Sequence, residues 1–218
     1  MSVSSARPLL RGYLHAGAAV AAALGGTYLL VLSSGDRPRQ LSMLVYGAGL
    51  TALFAVSAVY HLRAWAPARS RVLRRLDHVS IFVLIAATYT PIAFNVLSGW
   101  WRVGILGAVW GAALAGAGTA VAGVQLRRWT RAGLYVGMGW IALAALGQVA
   151  AALPWPAIGL LIAGGVLYSA GALLYARRWP DVWPRVFGYH EVFHLLTIAA
   201  ATAFYVLVVV YVLPAPRP

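Results

Sequence analysis

Near the carboxyl-terminal end of the chain, the stretch Gly188-Tyr-His-Glu-Val-Phe-His194 sets two imidazoles four residues apart at the head of a long apolar run. On a helix, residues i and i+4 stand one turn apart on one face, so His190 and His194 can both reach a single metal ion. Imidazole nitrogen suits zinc, which keeps a position for water beside three protein ligands in catalytic sites and is closed by four protein ligands in structural ones. The sequence has no cysteine, which excludes disulfides and thiolate ligands. Any transition metal must therefore be held by the five histidines, the four acids and water.

Further ionisable groups sit where they can join this pair. Ser57-Ala-Val-Tyr-His61 closes one apolar run, and Asp77-His78 opens the next. If these runs cross a membrane in alternate directions, His61, Asp77, His190 and His194 all fall at one depth of one leaflet. Ionisable groups are costly there and mark functional sites by default. Taken singly, each has an ordinary explanation. A lone histidine at a helix end, such as His15 or His78, is usually a snorkelling or hydrogen-bonded residue. Ser57 can bond back to its own helix carbonyl, and Asp77 can favour a helix amino terminus near Arg74 or Arg75. Beside a metal, Asp77 would instead orient a water and Ser57 would hydrogen-bond a ligand or a neighbouring polar group. For His61, His190 and His194 together, shared face and shared depth favour a common ligand.

The elements that must position these residues are membrane spans. Of 218 residues, 62% are hydrophobic and only 10% charged, and the mean hydropathy is +0.80. This is far too apolar for a soluble domain of that size. Apolar runs at about 12–32, 41–62, 79–97, 104–124, 133–153, 158–175 and 192–213 are each close to the ~20 residues that cross a bilayer as a helix. The expected fold is an all-α membrane protein, one seven-helix transmembrane bundle occupying residues 1–218. The first run follows Arg7 and Arg11, but it is too long for a signal-peptide core and lacks a clear cleavage site, so it reads as a retained span. Pro154 and Pro156 mark one turn, and Pro180 and Pro184 break the chain before the seventh span. Gly107-x-x-x-Gly111 and Gly133-x-x-x-Gly137 permit close helix contact, within the chain or between copies; the oligomeric state stays open.

The formal net charge of +13 comes from seventeen arginines and no lysine, and thirteen of the arginines lie in alternate connecting segments. Such a bias is topological. It places the amino terminus in the cytoplasm and the carboxyl terminus outside, and it argues for membrane lipids rather than nucleic acid as the partner of the basic surface. Arginine without lysine, with abundant Ala and Gly, points to a GC-rich bacterial source and so to the plasma (inner) membrane.

Ser57-x-x-x-His61, the stretch Leu76-Asp-His-Val-Ser-Ile-Phe-Val-Leu-Ile-Ala-Ala-Thr-Tyr-Thr-Pro91, and His190-x-x-x-His194 together resemble the three signatures of the hemolysin III family. That family is the bacterial branch of the progestin and adipoQ receptor (PAQR) superfamily, which is itself similar to alkaline ceramidases. The resemblance runs over nearly the whole chain. It implies zinc bound by His61, His190 and His194, with Asp77 acting through a water and Ser57 in support. His15 matches a histidine expected in the bacterial branch. The acid often found just upstream of it is missing, since Arg7 and Arg11 stand there.

Four functions follow as expectations. A zinc-dependent hydrolase of ceramide-like lipid amides would use Asp77, or else Glu191, to take a proton from water. A sensor of membrane state or of a lipid-like ligand, acting in membrane homeostasis, would carry a structural zinc with Asp77 as the fourth ligand. His190-Glu191-x-x-His194 is also a literal zincin signature, in which the glutamate is the general base of a metalloprotease. Such a protease would take His61 or Asp77 as its third ligand, but no acid follows Glu191 to supply the downstream Asp-Gly pair of membrane-embedded proteases. A pore-forming hemolysin comes last, because the arginine bias is that of a resident membrane protein.

Overall fold

Away from water, backbone N–H and C=O groups must be satisfied within their own segment, which leaves an apolar chain of this kind little choice but helix. The computed structural model describes residues 10–183 and 186–218. Arg7 and Arg185, counted in the arginine bias, and Pro184, read as a breaker, lie outside the described residues. Among the described residues, seven helical spans are long and apolar enough to cross a membrane, and the chain is a multi-pass membrane protein. In order they are α1 (Tyr13–Leu32), α2 (Arg37–Leu62), α3 (Pro67–Val96), α4 (Gly99–Val121), a fifth span made of α5 (Arg128–Gly139) and α6 (Leu146–Ala152), α7 (Trp155–Arg177) and α8 (Tyr189–Leu207). A π-helical turn, Val208–Val212, extends α8.

Helices and apolar runs do not share boundaries. The α2 helix starts ahead of its run because Asp36 caps it, accepting from the Arg39 N–H at 3.1 Å, with Pro38 in the first turn. That hydrogen bond, and then the Arg217 guanidinium, hold the Asp36 carboxyl below its ordinary range. At the other side of the bundle α3 starts at Pro67, well before its apolar run, so the arginine-rich connection is largely helix. Hydropathy marks where hydrocarbon begins, whereas arginine, leucine and alanine propagate a helix as well in headgroups or water.

The fifth span departs further from a single helix. Between α5 and α6 the chain tightens into a 3₁₀ segment, Trp140–Ala145, and Tyr89 of α3 is inserted at the break. Its hydroxyl donates to the Gly139 carbonyl at 2.5 Å and accepts from the Ala142 N–H at 2.8 Å. A side chain thus satisfies backbone groups that the helix gives up, as a broken span requires.

Close packing concentrates at other glycines than those in the two GxxxG patterns. In α1 against α2, a Cβ on Gly47 would lie 2.8 Å from the Gly26 Cα, so the backbones touch. Around Gly107, Gly111, Gly133 and Gly137 nothing lies within 4 Å of an added Cβ; those faces take no part in the contacts within the chain. Leu24, Val31 and Leu114 point outward, as lipid-facing side chains do. Trp100 and Trp155 are exposed at helix starts on the end opposite the histidines, the interfacial place of tryptophan.

Gly47→Ala is expected to destabilise the bundle by about 1–3 kcal/mol through overpacking against Gly26. Thermal unfolding in detergent checks this, with Gly107→Ala, whose Cβ meets nothing, expected to match wild type.

Candidate metal centre

The seventh span is started by its own sequence. Gly188 is extended and precedes the helix, and Glu191, three residues on, turns its carboxylate back to accept from the Gly188 N–H at 2.9 Å. This capping by a third-position glutamate fixes where α8 begins, and with it the azimuth of His190 and His194. His61 lies in the last turn of α2, and Asp77 lies in α3 just where the apolar run begins.

One imidazole nitrogen from each of His61, His190 and His194 can be chosen so that all lie within 4.8 Å of one another. The Nε2 atoms of His61 and His190 are 3.3 Å apart. Two nitrogens bound at about 2.0–2.1 Å to one tetrahedral ion stand about 3.3–3.4 Å apart. The pair is therefore spaced either for one ring donating to the other or for both turned on one ion. The Nδ1 of His194 is buried without a hydrogen-bond partner, a cost that a ligand to the ring would relieve. The donor set, all imidazole with an acid nearby and no thiolate, fits zinc among the transition metals.

Around this triad the sequence-expected residues fall into different places. Asp77 Oδ2 stands 4.0 Å from His61 Nε2, farther than a bonded pair and close enough to share a water. Ser57 is buried, with its hydroxyl 2.8 Å from His15 Nδ1 and beside the Asp77 carboxyl. His15 is itself buried, and its ring stacks on that of His194 at 3.7 Å between centroids, with 15° between the planes. His78 is turned elsewhere, its Nε2 2.8 Å from the Arg131 guanidinium. Glu191 does not line the interior cavity. Its side chain is fully buried, with one oxygen on Gly188 and the other accepting from Arg11 Nε at 2.8 Å, so both oxygens are engaged away from the triad.

Arg11 is the residue that sequence reasoning missed. It was legible only as one more arginine at a membrane surface, because its partner lies 180 residues away. A second arginine, Arg131, reaches the cavity wall beside Asp77 and His78.

The histidines form one end of an interior cavity of about 300 Å³, which falls at the lower end of the range of small-molecule sites. From His61, Asp77 and His190 it runs between α3, the broken fifth span and α7 as far as Ala93, Leu97 and Ile105, at the opposite end of α3 and the start of α4. Its wall is overwhelmingly apolar, with the charged and imidazole groups gathered at the histidine end.

A seven-helix membrane bundle with three imidazoles and an acid at the polar end of an apolar interior cavity is a sharply defined class. The chain belongs to the Haemolysin-III related family, whose family model matches residues 3–205. It is similar to Hemolysin-3 of Bacillus cereus, 30% identical over 182 residues, which cover 83% of this chain and 79% of that protein. The Hemolysin-3 homolog of Bacillus subtilis (strain 168) is 28% identical over 176 residues, 81% of this chain and 79% of that one. In rice, Oryza sativa subsp. japonica, the Heptahelical transmembrane protein ADIPOR2 is 34% identical over 185 residues, 76% and 79% of the two chains. This ties the bacterial proteins to the adiponectin-receptor type.

Replacing Glu191 with Gln removes the partner of a half-buried guanidinium and weakens the cap of α8. Thermal unfolding should show a loss on the order of 3 kcal/mol. Asp77→Asn, which touches neither Arg11 nor the cap, should leave the melting temperature near that of wild type.

Proposed function

We propose that this protein is a zinc-dependent hydrolase of lipid amides, resident in a bacterial plasma membrane with its amino terminus in the cytoplasm. What carries the reading is the juxtaposition of three imidazole nitrogens within 4.8 Å of one another and a carboxylate 4.0 Å from one of them, at the end of an apolar cavity. The orientation is supported by the arginine bias. The zinc would be held by His61, His190 and His194, where it would supply Lewis acidity towards a carbonyl oxygen and ease deprotonation of water.

The remaining work falls to the protein's own groups. Asp77 is placed to accept the proton of a water lying between it and the triad, and to return it to the amide nitrogen as that group leaves. Ser57 fixes the acid by its hydroxyl. The apolar cavity receives the acyl chain and excludes bulk water, so that the carbonyl carbon of a seated lipid amide stops at the histidines. Ceramide-like lipids have the required polar head and acyl amide.

A second reading keeps zinc but not turnover. At 4.0 Å from His61 Nε2, a small movement brings Asp77 to the ion as a fourth protein ligand. The site is then structural, tying α2, α3 and α8 together in a sensor of membrane state or of a lipid ligand, acting in membrane homeostasis.

Metal analysis of detergent-purified protein, followed by X-ray absorption at the zinc edge, separates the two. One zinc per chain with three imidazoles and a water-like oxygen supports the hydrolase, and four protein ligands support the sensor. His61→Ala should lose the zinc; full retention would overturn the ligand set. For the hydrolase, Asp77→Asn should keep the metal and lower hydrolysis of a short-chain ceramide by about 100-fold or more.

A further inference from the structure

Helix α1 donates no residue to the three-imidazole group, and most of it faces outward, with only His15, Ala22, Gly26 and Leu29 buried. Its first turn and the two residues that precede it nevertheless touch both α2 and α8, the helices that carry the three imidazoles. We propose that Arg11 and His15 are positioning residues for the metal centre, Arg11 acting through Glu191 on α8 and His15 through the ring of His194 and through Ser57 on α2. The inference rests on the metal reading given above.

Three contacts carry it. Arg11 Nε donates to Glu191 Oε1 at 2.8 Å while Glu191 Oε2 holds the Gly188 N–H at 2.9 Å. With both oxygens taken, the first turn of α8 cannot rotate about its axis without breaking a bond to a fully buried carboxylate, so His190 and His194 keep their direction. His15 lies flat on His194 at 3.7 Å and 15°, which fixes the plane of a ring whose own Nδ1 has no hydrogen-bond partner. On its other side His15 Nδ1 meets Ser57 Oγ at 2.8 Å, one turn before His61 in α2. Between the two residues, Gly12 adopts φ 92°, and a Cβ there would come within 2.9 Å of the Leu62 nitrogen and 3.1 Å of the His61 carbonyl carbon. Only glycine lets the segment lie this close to the His61 backbone. Partners that orient metal ligands in this way are typically worth about 10–100-fold in metal affinity.

Positioning and simple electrostatics predict opposite signs for one substitution. Removing the Arg11 charge leaves a carboxylate near the site, which by Coulomb attraction alone should tighten the hold on a divalent cation. If Arg11 acts by fixing α8, the same change loosens it.

The test uses the full chain in detergent, loaded with Zn²⁺ for competition against a chelator and with Co²⁺ for its visible absorption, which reports ligand geometry. The melting temperature of metal-free protein is followed alongside. Arg11→Gln and His15→Ala should each release zinc about 10–100-fold more readily and weaken the tetrahedral cobalt bands. Arg11→Lys, which keeps a donor to Glu191, and His15→Phe, which keeps the stacked ring, should recover most of the affinity. Unchanged or tighter zinc binding in Arg11→Gln together with an unchanged cobalt spectrum in His15→Ala overturns the proposal, as does a lower metal-free melting temperature with wild-type affinity. If Arg11→Gln does not fold, the contrast between His15→Ala and His15→Phe decides. Wild-type protein that binds neither ion would instead remove the metal reading, and the positioning role with it.

Discussion

Three imidazoles lie on each other within a few ångströms at the edge of hydrocarbon, with His15 stacked on one of them and a fully buried carboxylate behind them. Groups of this kind must each find a partner there or leave their desolvation cost uncompensated, and the bundle is arranged so that partners converge from every direction. The α8 helix begins where it does because Glu191 caps it. Arg11 meets Glu191, Ser57 meets His15, and Arg131 meets His78. Helix ends that are far apart in sequence thus become one polar layer, and among the described residues the buried side-chain atoms without a hydrogen-bond partner include a ring nitrogen each of His15 and His194 and the hydroxyl of Tyr135.

The cavity behind that layer has a related origin. The fifth span lies beside α3 and α7 without being one continuous helix. The chain instead opens into a 3₁₀ segment in the middle of the span, and Tyr89 takes over the hydrogen bonds lost there. Of the glycines in this span, Gly139, whose carbonyl accepts from Tyr89, lines the cavity. The apolar space runs along this broken span and ends at the histidines, where the polar layer begins.

How much of this could be read beforehand depended on sequence separation. Span number and type were legible, because hydrocarbon imposes a length of apolar helix that few other residues imitate. His190 and His194 were legible because helix geometry alone puts them on one face, and His61 followed from its depth at the same bundle end. Helix starts were less so: α3 continues far into the arginine-rich segment, since backbone hydrogen bonding does not stop where apolarity does. Within the chain, close backbone approach runs through Gly26 and Gly47 and not through the Gly107 and Gly133 patterns; small residues permit close approach without requiring it. Arg11 had no local signature at all. Its meaning lies in a carboxylate at the far end of the chain, and pairings of that range depend on the whole packing arrangement.

Glu191 shows why a motif must be read through its helix. His190 and His194 differ by about 40° around α8, while Glu191 points about 100° from His190, at 3.6 residues per turn. In His190-Glu191-x-x-His194 the glutamate acts on the metal side only if nothing else claims it. Here the side it faces is occupied by the segment just before α1, where Arg11 stands, and the helix terminus behind it exposes a backbone N–H that it caps. Both claims are stronger than a water at the triad, since one is a charge-assisted bond to a carboxylate of zero exposure and the other satisfies a buried amide. Asp77 is held by the Ser57 hydroxyl and lies 4.0 Å from His61 on the cavity side. Two acids flank the same histidines, and their surroundings differ: Glu191 is engaged with Arg11 and the Gly188 N–H, and Asp77 lines the cavity beside His61.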